Sequence, residues 1–351
     1  MLLADGAVEL IVQETPAEGV VTECVRGGSI RSRAGVNVPA ERLSLPAITD
    51  RDREGLARAL DLGVDLVAQS FVRAAADLIG LRALMGERAV PIVAKIETRP
   101  AVDDIAAILE QADALMVARG DLGVELPMEE IPILQKELLV SARTAGKPAI
   151  VATQMLESMI RAPRPTRAEA SDVANAVLDG ADAIMLSGET AIGDYPLEAA
   201  EAAARIAQVA EERAGGFRVM GVPCRHTDEA SAVAHAAAQV AAGDREVLAI
   251  ACFTGTGRTA ALLSSERPEV PIYAFVPDDA VRRALSLRWG VTPLPVPVPS
   301  DTDEMIRSMD EGLRRGGLVS EGQSVVMAAS SPAGKTHTNM LKVHQVGESV
   351  R

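Results

Sequence analysis

The chain has 351 residues, enough for more than one hydrophobic core. Hydrophobic residues make up 48% and charged residues 24%, a globular balance that argues against disorder. The net charge of −14, with no basic stripe to offset it, disfavours nucleic acid, and none is expected as a partner.

Small anionic substrates remain open, because a metal or a few local cations reverse the potential at one site. The first residues, Met1-Leu2-Leu3-Ala4-Asp5-Gly6, carry no basic region and no sustained apolar run, so no signal peptide is read there. Cys24, Cys224 and Cys252 lie far apart with no CxxC spacing, which points to a reducing cytoplasm rather than to disulfides or zinc. No segment is long and apolar enough to span a bilayer, so no membrane is expected.

Residues 1–41 read as a small β module. Stretches 8–12 and 20–25 alternate like strands, with turn-forming Pro16 and Gly19 between them. Gly27-Gly28 and residues 35–39 read as turns leading out of it.

From about residue 60 to 190 apolar runs alternate with amphipathic stretches. The runs cover 65–71, 91–97, 114–119, 148–153 and 183–187, each Val/Ile/Ala-rich and each ending in polar residues. Their spacing of roughly 25–35 residues is that of repeated βα units. Stretches 129–145 and 168–179 have helical spacing. Polar residues gathered at the run ends favour a (β/α) barrel, with an open parallel sheet as the alternative.

The chemistry sits at those ends. On a strand, side chains two apart share a face, so Lys95 and Glu97 point the same way. Alone, the pair reads more simply as a snorkelling lysine with its salt-bridge partner. Asp121, Thr153 and Ser187 at three later run ends turn the balance towards an active site. Glu97 and Asp121 suit Mg²⁺ or Mn²⁺ with room for substrate oxygens. Arg119-Gly120-Asp121-Leu122 reads as a helix opening whose free N–H groups face a carboxylate or phosphate, with Gly120 allowing close approach. Lys95 can neutralise charge on a phosphoryl group in transfer, and the Thr153 hydroxyl can bind a substrate oxygen or carry a proton.

Residues 161–167, Arg-Ala-Pro-Arg-Pro-Thr-Arg, read as a proline-stiffened loop capped at Thr166 with Glu169 as box partner, or as a subunit contact. An alanine-rich helix over 195–213 runs into Gly215-Gly216, a hinge to a second domain. There, strands are expected over 247–253, 270–275 and 324–329, with helices over 231–242 and 279–288, as an α/β sandwich. Thr254-Gly-Thr-Gly-Arg-Thr259 follows the first of these strands. Thr254, Thr256, Arg258 and Thr259 there read as a phosphate nest for an effector, or as a plain flexible turn.

The chain resembles the pyruvate kinase family at Lys95-Ile-Glu97, at residues 116–125 (MVARGDLGVE), at 152–159 (ATQMLESM) and through 163–196, which includes RPTRAE, SDVANA and MLSGETA. The resemblance covers essentially the whole chain, strongest over 90–196. It implies phosphoryl transfer from phosphoenolpyruvate to ADP, giving pyruvate and ATP in glycolysis. Lys95 then stabilises the phosphoryl group, Glu97 and Asp121 hold the metal, and Gly120, Asp121 and Thr153 hold the enolpyruvate. Ser187 and Glu189 fall on the protonation side.

The domains implied are a β-lid remnant (1–41), a partial (β/α)8 TIM barrel of about five βα units (42–213) and a regulatory α/β domain (214–351). A homotetramer and a phosphorylated effector are implied as partners. K⁺ is implied as a cofactor, with the family's ligands for it lying in a region that this sequence lacks. Met1 aligns with the middle of the family's lid, which raises the expectation of a misplaced start or, alternatively, a short paralogue. Ile192 stands where many relatives have lysine, and Thr98-Arg99 where asparagine is commoner. Two rival readings stand beside this one: a non-catalytic regulatory protein on the same scaffold, and a metal-dependent aldolase or lyase using a pyruvate enolate.

Overall fold

A computed structural model describes residues 1–3, 8–30, 32, 35–37, 46–213, 228–332 and 337–348. The hinge expected at Gly215-Gly216, Cys224 and the expected domain boundaries at 41/42 and 213/214 fall on or against residues outside the described ones. The chain divides into two units, Met1–Met220 and Gly221–Arg351.

The first unit opens with four antiparallel strands, β1 (Leu2–Leu3), β2 (Val8–Glu14), β3 (Val21–Arg26) and β4 (Val36–Asn37), in the order β3-β2-β1-β4. β2 and β3 fall where the alternation places them. Val36–Asn37, expected within a turn, pairs instead with β1. Two residues are too few for a period-2 pattern to register. Ile11, Val12, Val21 and Val25 are exposed, so this sheet builds no core of its own among the described residues.

Helix α1 (Asp50–Asp61) starts with a capping box in which Thr49 and Asp52 satisfy each other's backbone N–H. Five parallel strands follow: β5 (Val67–Gln69), β6 (Ile92–Ile96), β7 (Ala114–Ala118), β8 (Ala149–Ala152) and β9 (Ala183–Met185). They are hydrogen-bonded in chain order. Parallel neighbours need crossovers. These are α2 (Ala75–Met85), then α3 (Arg99–Asp103) with α4 (Ile105–Gln111), α5 (Arg119–Glu125) with α6 (Ile131–Thr144), and α7 (Arg167–Leu178).

Alternate strand residues Ile92, Ala94, Ile96, Leu115, Val117 and Val151 join the helix residues Leu78, Ile108, Leu138 and Val173 in one core. Residues of the opposite parity, Lys95 among them, take the other face. A single helical turn, α8 (Gly188–Ala191), and the longer α9 (Pro196–Arg213) complete the unit. The helices α6, α7 and α9 lie where the spacing expects them.

The second unit has three layers. Its sheet, β10 (Val247–Phe253), β11 (Ile272–Val276), β12 (Val291–Pro295), β13 (Ser324–Ala329) and β14 (Met340–Gln345), runs in the order β12-β11-β10-β13-β14. All neighbours are parallel except β14. One core holds Ala234, Leu263 and Leu285 from α10 (Glu229–Gly243), α11 (Arg258–Ser265) and α12 (Asp279–Leu285). The other holds Met305, Met309 and Leu313 from α13 (Thr302–Arg315).

Sequence reading misses β12 and β14. β12 carries Pro293 and Pro295, which a strand tolerates only at a sheet edge, and β14 interleaves Lys342 and His344 with apolar residues. Cys252 lies fully buried in β10, and burial pushes its thiol up to about 12, so it stays a protonated packing residue. No described helix is long and apolar enough to cross a membrane.

Candidate active site

The C-terminal ends of five parallel strands share one rim, and the predicted site residues lie along it. Lys95 leaves β6 one residue before its end. Its Nζ lies 2.6 Å from Glu97 Oε1 and donates to Ser70 Oγ at 2.8 Å. The second Glu97 oxygen accepts the Phe71 amide at 2.6 Å. The Glu97 side chain is 1% exposed, and the Lys95 ammonium and that amide supply the hydrogen bonds that water would otherwise give it. A buried ion pair of this kind adds little net stability, whereas removing one partner costs about 3–5 kcal/mol. The sequence does not single out Ser70, at the end of the run 65–71. A polar residue at a strand end is the available signal.

β7 delivers Arg119, Gly120 and Asp121 into the first turn of α5. The Asp121 carboxylate is partly exposed and forms no hydrogen bond or ion pair among the described residues. Gly120 N donates to Thr153 Oγ1 at 2.8 Å, and that hydroxyl donates to the Ala152 carbonyl at 2.6 Å. A Cβ on Gly120 would sit 3.4 Å from Thr153 Oγ1, in ordinary van der Waals contact, so the two loops already lie against each other at this point.

Thr153 (φ 72°) and Gln154 (φ 53°) are consecutive left-handed residues, a conformation costing roughly 1–2 kcal/mol each without glycine. Arg119 holds them. Its Nη2 donates to Thr153 O at 2.9 Å, and its Nη1 donates to Asp172 Oδ1 at 2.6 Å and Gln135 Oε1 at 3.3 Å. In the sequence Arg119 is only one letter of a motif, because its partners lie 16 to 53 residues away.

Ser187 and Glu189 follow β9. Glu189 is buried, and its two oxygens accept the amides of Ser187 (2.8 Å) and Leu156 (3.0 Å). It therefore clamps the loop after β9 to the loop after β8, with both oxygens engaged by the backbone. The loop 161–167 is anchored as the capping signature expects. Thr166 and Glu169 form the box, and Glu169 also takes the Ser158 amide and hydroxyl. Burial pushes the Glu169 carboxyl up, but these hydrogen bonds outweigh it and hold it below its ordinary value. Arg161 pairs with both oxygens of Asp194.

In the second unit, Thr254-Gly-Thr-Gly-Arg-Thr259 joins β10 to α11 at the point where the strand order reverses between β10 and β13. Thr254 is buried and its hydroxyl accepts the Gly257 amide. Thr259 is buried against Thr338, hydroxyl to hydroxyl at 2.6 Å. Arg258 pairs with Asp228, and the Ser231 amide and this guanidinium hold the Asp228 carboxyl below its usual range. Thr256 and Arg258 are exposed, while Thr254 and Thr259 serve the turn itself.

Residues 1–200 match the family described as pyruvate kinase, barrel domain, and residues 231–344 the pyruvate kinase alpha/beta domain. The pyruvate kinase of Mycobacterium intracellulare is 43% identical over 354 residues, covering 99% of this chain and 74% of that protein. The chain belongs to the pyruvate kinase family. It is accordingly a phosphotransferase, with the α/β class and two-part organisation of the family. Pyruvate kinases of Geobacillus stearothermophilus (43% over 360 residues, 99% of this chain) and Corynebacterium glutamicum (42% over 355 residues, 100% of this chain) are similar. The chain spans 60% of the former's length and 74% of the latter's.

Proposed function

We propose that the chain transfers the phosphoryl group of phosphoenolpyruvate to ADP, giving pyruvate and ATP in glycolysis. The observation that carries this reading is Lys95, held by Glu97 and Ser70, on the same strand-end rim as Gly120, Asp121 and Thr153. We read β5 to β9 as consecutive strands of the family's (β/α)8 barrel, residues 1–41 as lid, 42–213 as catalytic domain and 214–351 as regulatory domain.

In this reading Lys95 places a fixed positive charge against the phosphoryl oxygens as charge spreads over them. The α5 N-terminus and the Thr153 hydroxyl orient the carboxylate and enol oxygen of the substrate. Ser187, placed by Glu189, lies on the protonation side.

Glu97 and Asp121 suit Mg²⁺ or Mn²⁺. Both are hard carboxylate donors of the kind these ions prefer. Asp121 has no competing partner among the described residues, whereas the Glu97 oxygens already meet Lys95 and the Phe71 amide, so an ion would share one of them with those donors. Among those residues no group of three or more His, Cys, Asp and Glu side chains could hold a metal, so substrate oxygens and water would complete the shell. The ion would supply Lewis-acid charge at the phosphoryl group. The family is in general Mg²⁺- and K⁺-dependent, and we extend the divalent ion to this chain. A cytoplasmic homotetramer, with a phosphorylated effector at Thr256 and Arg258, belongs to the same proposal.

The test is pyruvate formation by the purified chain from phosphoenolpyruvate, ADP and Mg²⁺, beside Lys95→Ala. Activity that disappears in the variant supports the reading. A wild-type chain without activity under K⁺-containing conditions overturns it.

A further inference from the structure

We propose that Gln135, a helix residue outside the substrate-binding loops, is a positioning residue for the phosphoenolpyruvate site, acting through Arg119. The inference rests on the function proposed above and names a residue outside the stretches 95–97, 116–125, 152–159 and 163–196. Gln135 lies on α6 and is only 4% exposed. Its Nε2 donates to Asp179 Oδ2 at 2.9 Å, and its Oε1 accepts from Arg119 Nη1 at 3.3 Å. Asp179, at the end of α7, is also paired with Lys136.

The direction of this bridge is forced. A guanidinium has only donors and a carboxylate only acceptors, so the amide oxygen must face Arg119 and the amide nitrogen Asp179. A neutral side chain with an acceptor at one end and a donor at the other is required. Glutamate would set a carboxylate against Asp179, and methionine would satisfy neither end.

The far end of the bridge is the substrate clamp. Asp172 accepts from Nη1, and the Thr153 carbonyl and the Met155 sulfur accept from Nη2. Gln135 adds a further acceptor on Nη1, which restrains the plane in which Nη2 meets the Thr153 carbonyl at 2.9 Å. Thr153 and Gln154 are in left-handed conformations that relax when nothing holds them. Relaxation there moves the hydroxyl that fixes Gly120. Gln135 thus ties the packing of α6 and α7 to the geometry of the loops after β7 and β8.

The test compares Gln135→Met, which keeps the volume, with a double variant that combines Gln135→Glu and Asp179→Asn. The double variant restores the pattern, since the carboxylate introduced on α6 can accept both from Arg119 and from the amide introduced at the end of α7. The expected result for Gln135→Met is a KM for phosphoenolpyruvate raised about tenfold, with KM for ADP unchanged and a smaller change in kcat. The double variant is expected to recover most of the loss. A folded Gln135→Met chain with KM for phosphoenolpyruvate within about twofold of wild type overturns the proposal.

Absence of turnover in the wild-type chain would instead defeat the proposed function. Gln135 is then judged by a crystal structure of Gln135→Met. A guanidinium swung away from Thr153 O supports its positioning role, and one still bonded there overturns it.

Discussion

The Thr153 hydroxyl accepts the Gly120 amide proton at 2.8 Å and donates its own to the Ala152 carbonyl at 2.6 Å. One side chain thereby locks two neighbouring strand-end loops. Thr153→Val keeps the shape and removes both bonds, leaving the Gly120 N–H without its partner. Steady-state kinetics should show kcat/KM for phosphoenolpyruvate lowered about hundredfold, with Thr153→Ser retaining most of the activity. Equal losses in both variants would show that the methyl group, not the hydroxyl, matters.

Lys95 and Glu97 offset each other's charge in a largely dry site. Lys95→Met should lower kcat about a thousandfold and also destabilise the chain by about 3 kcal/mol, because Glu97 keeps an unpaired buried charge. Adding Glu97→Gln removes that charge. The double variant should regain stability in urea unfolding and remain inactive, which separates the packing role of the pair from its chemical one. Glu97→Gln alone should weaken Mn²⁺ binding, measured by titration calorimetry.

Glu189 uses both oxygens to accept backbone amides, so its amide analogue cannot replace it. Glu189→Gln turns one acceptor into a donor facing an N–H and should cost about 1–3 kcal/mol. Gly193 tests the same clamp from the backbone. A Cβ there would lie 2.3 Å from the Glu189 carbonyl oxygen, a contact that only backbone movement relieves. Glu189→Gln and Gly193→Ala should both lower the melting temperature. Ser187-dependent proton transfer, read as solvent exchange into pyruvate, should slow with them.

Asp310 receives the Gly347 amide at 2.7 Å, His344 Nε2 at 2.9 Å and Arg314 Nε at 2.8 Å. Burial pushes its carboxyl up, but these partners outweigh burial and hold it below its ordinary value of 3.8. A folded value below the unfolded one contributes stability that is present above 3.8 and lost as pH falls through the lower, folded value. Urea unfolding followed from neutral pH downwards should therefore show a stability loss that begins near the ordinary value of 3.8 and levels off below the folded one. Asp310→Asn should flatten it. An unchanged slope in the variant would assign the acid sensitivity to other carboxylates such as Glu169.

Much of this site is legible in the sequence because its chemistry is local. Lys95 and Glu97 share a strand face by period, Asp121 stands in a helix-opening turn, and the run ends align because parallel strands present their C-termini together. Capping at Thr166 is legible for the same reason, since its partner is three residues away. Tertiary structure alone decided whatever depends on partners far along the chain. Arg119 became the holder of Thr153 through contacts with Gln135 and Asp172, and Glu189 became a clamp through Leu156, 33 residues before it. Thr254 and Thr259, at a strand–helix turn, read either as part of a phosphate nest or as a plain turn, and it is the fold that buries both and engages their hydroxyls with Gly257 and Thr338. A sequence states which donors and acceptors exist. Which of them meet is set by the packing of helices on strands, since a buried hydrogen bond needs proximity and direction that spacing along the chain does not encode.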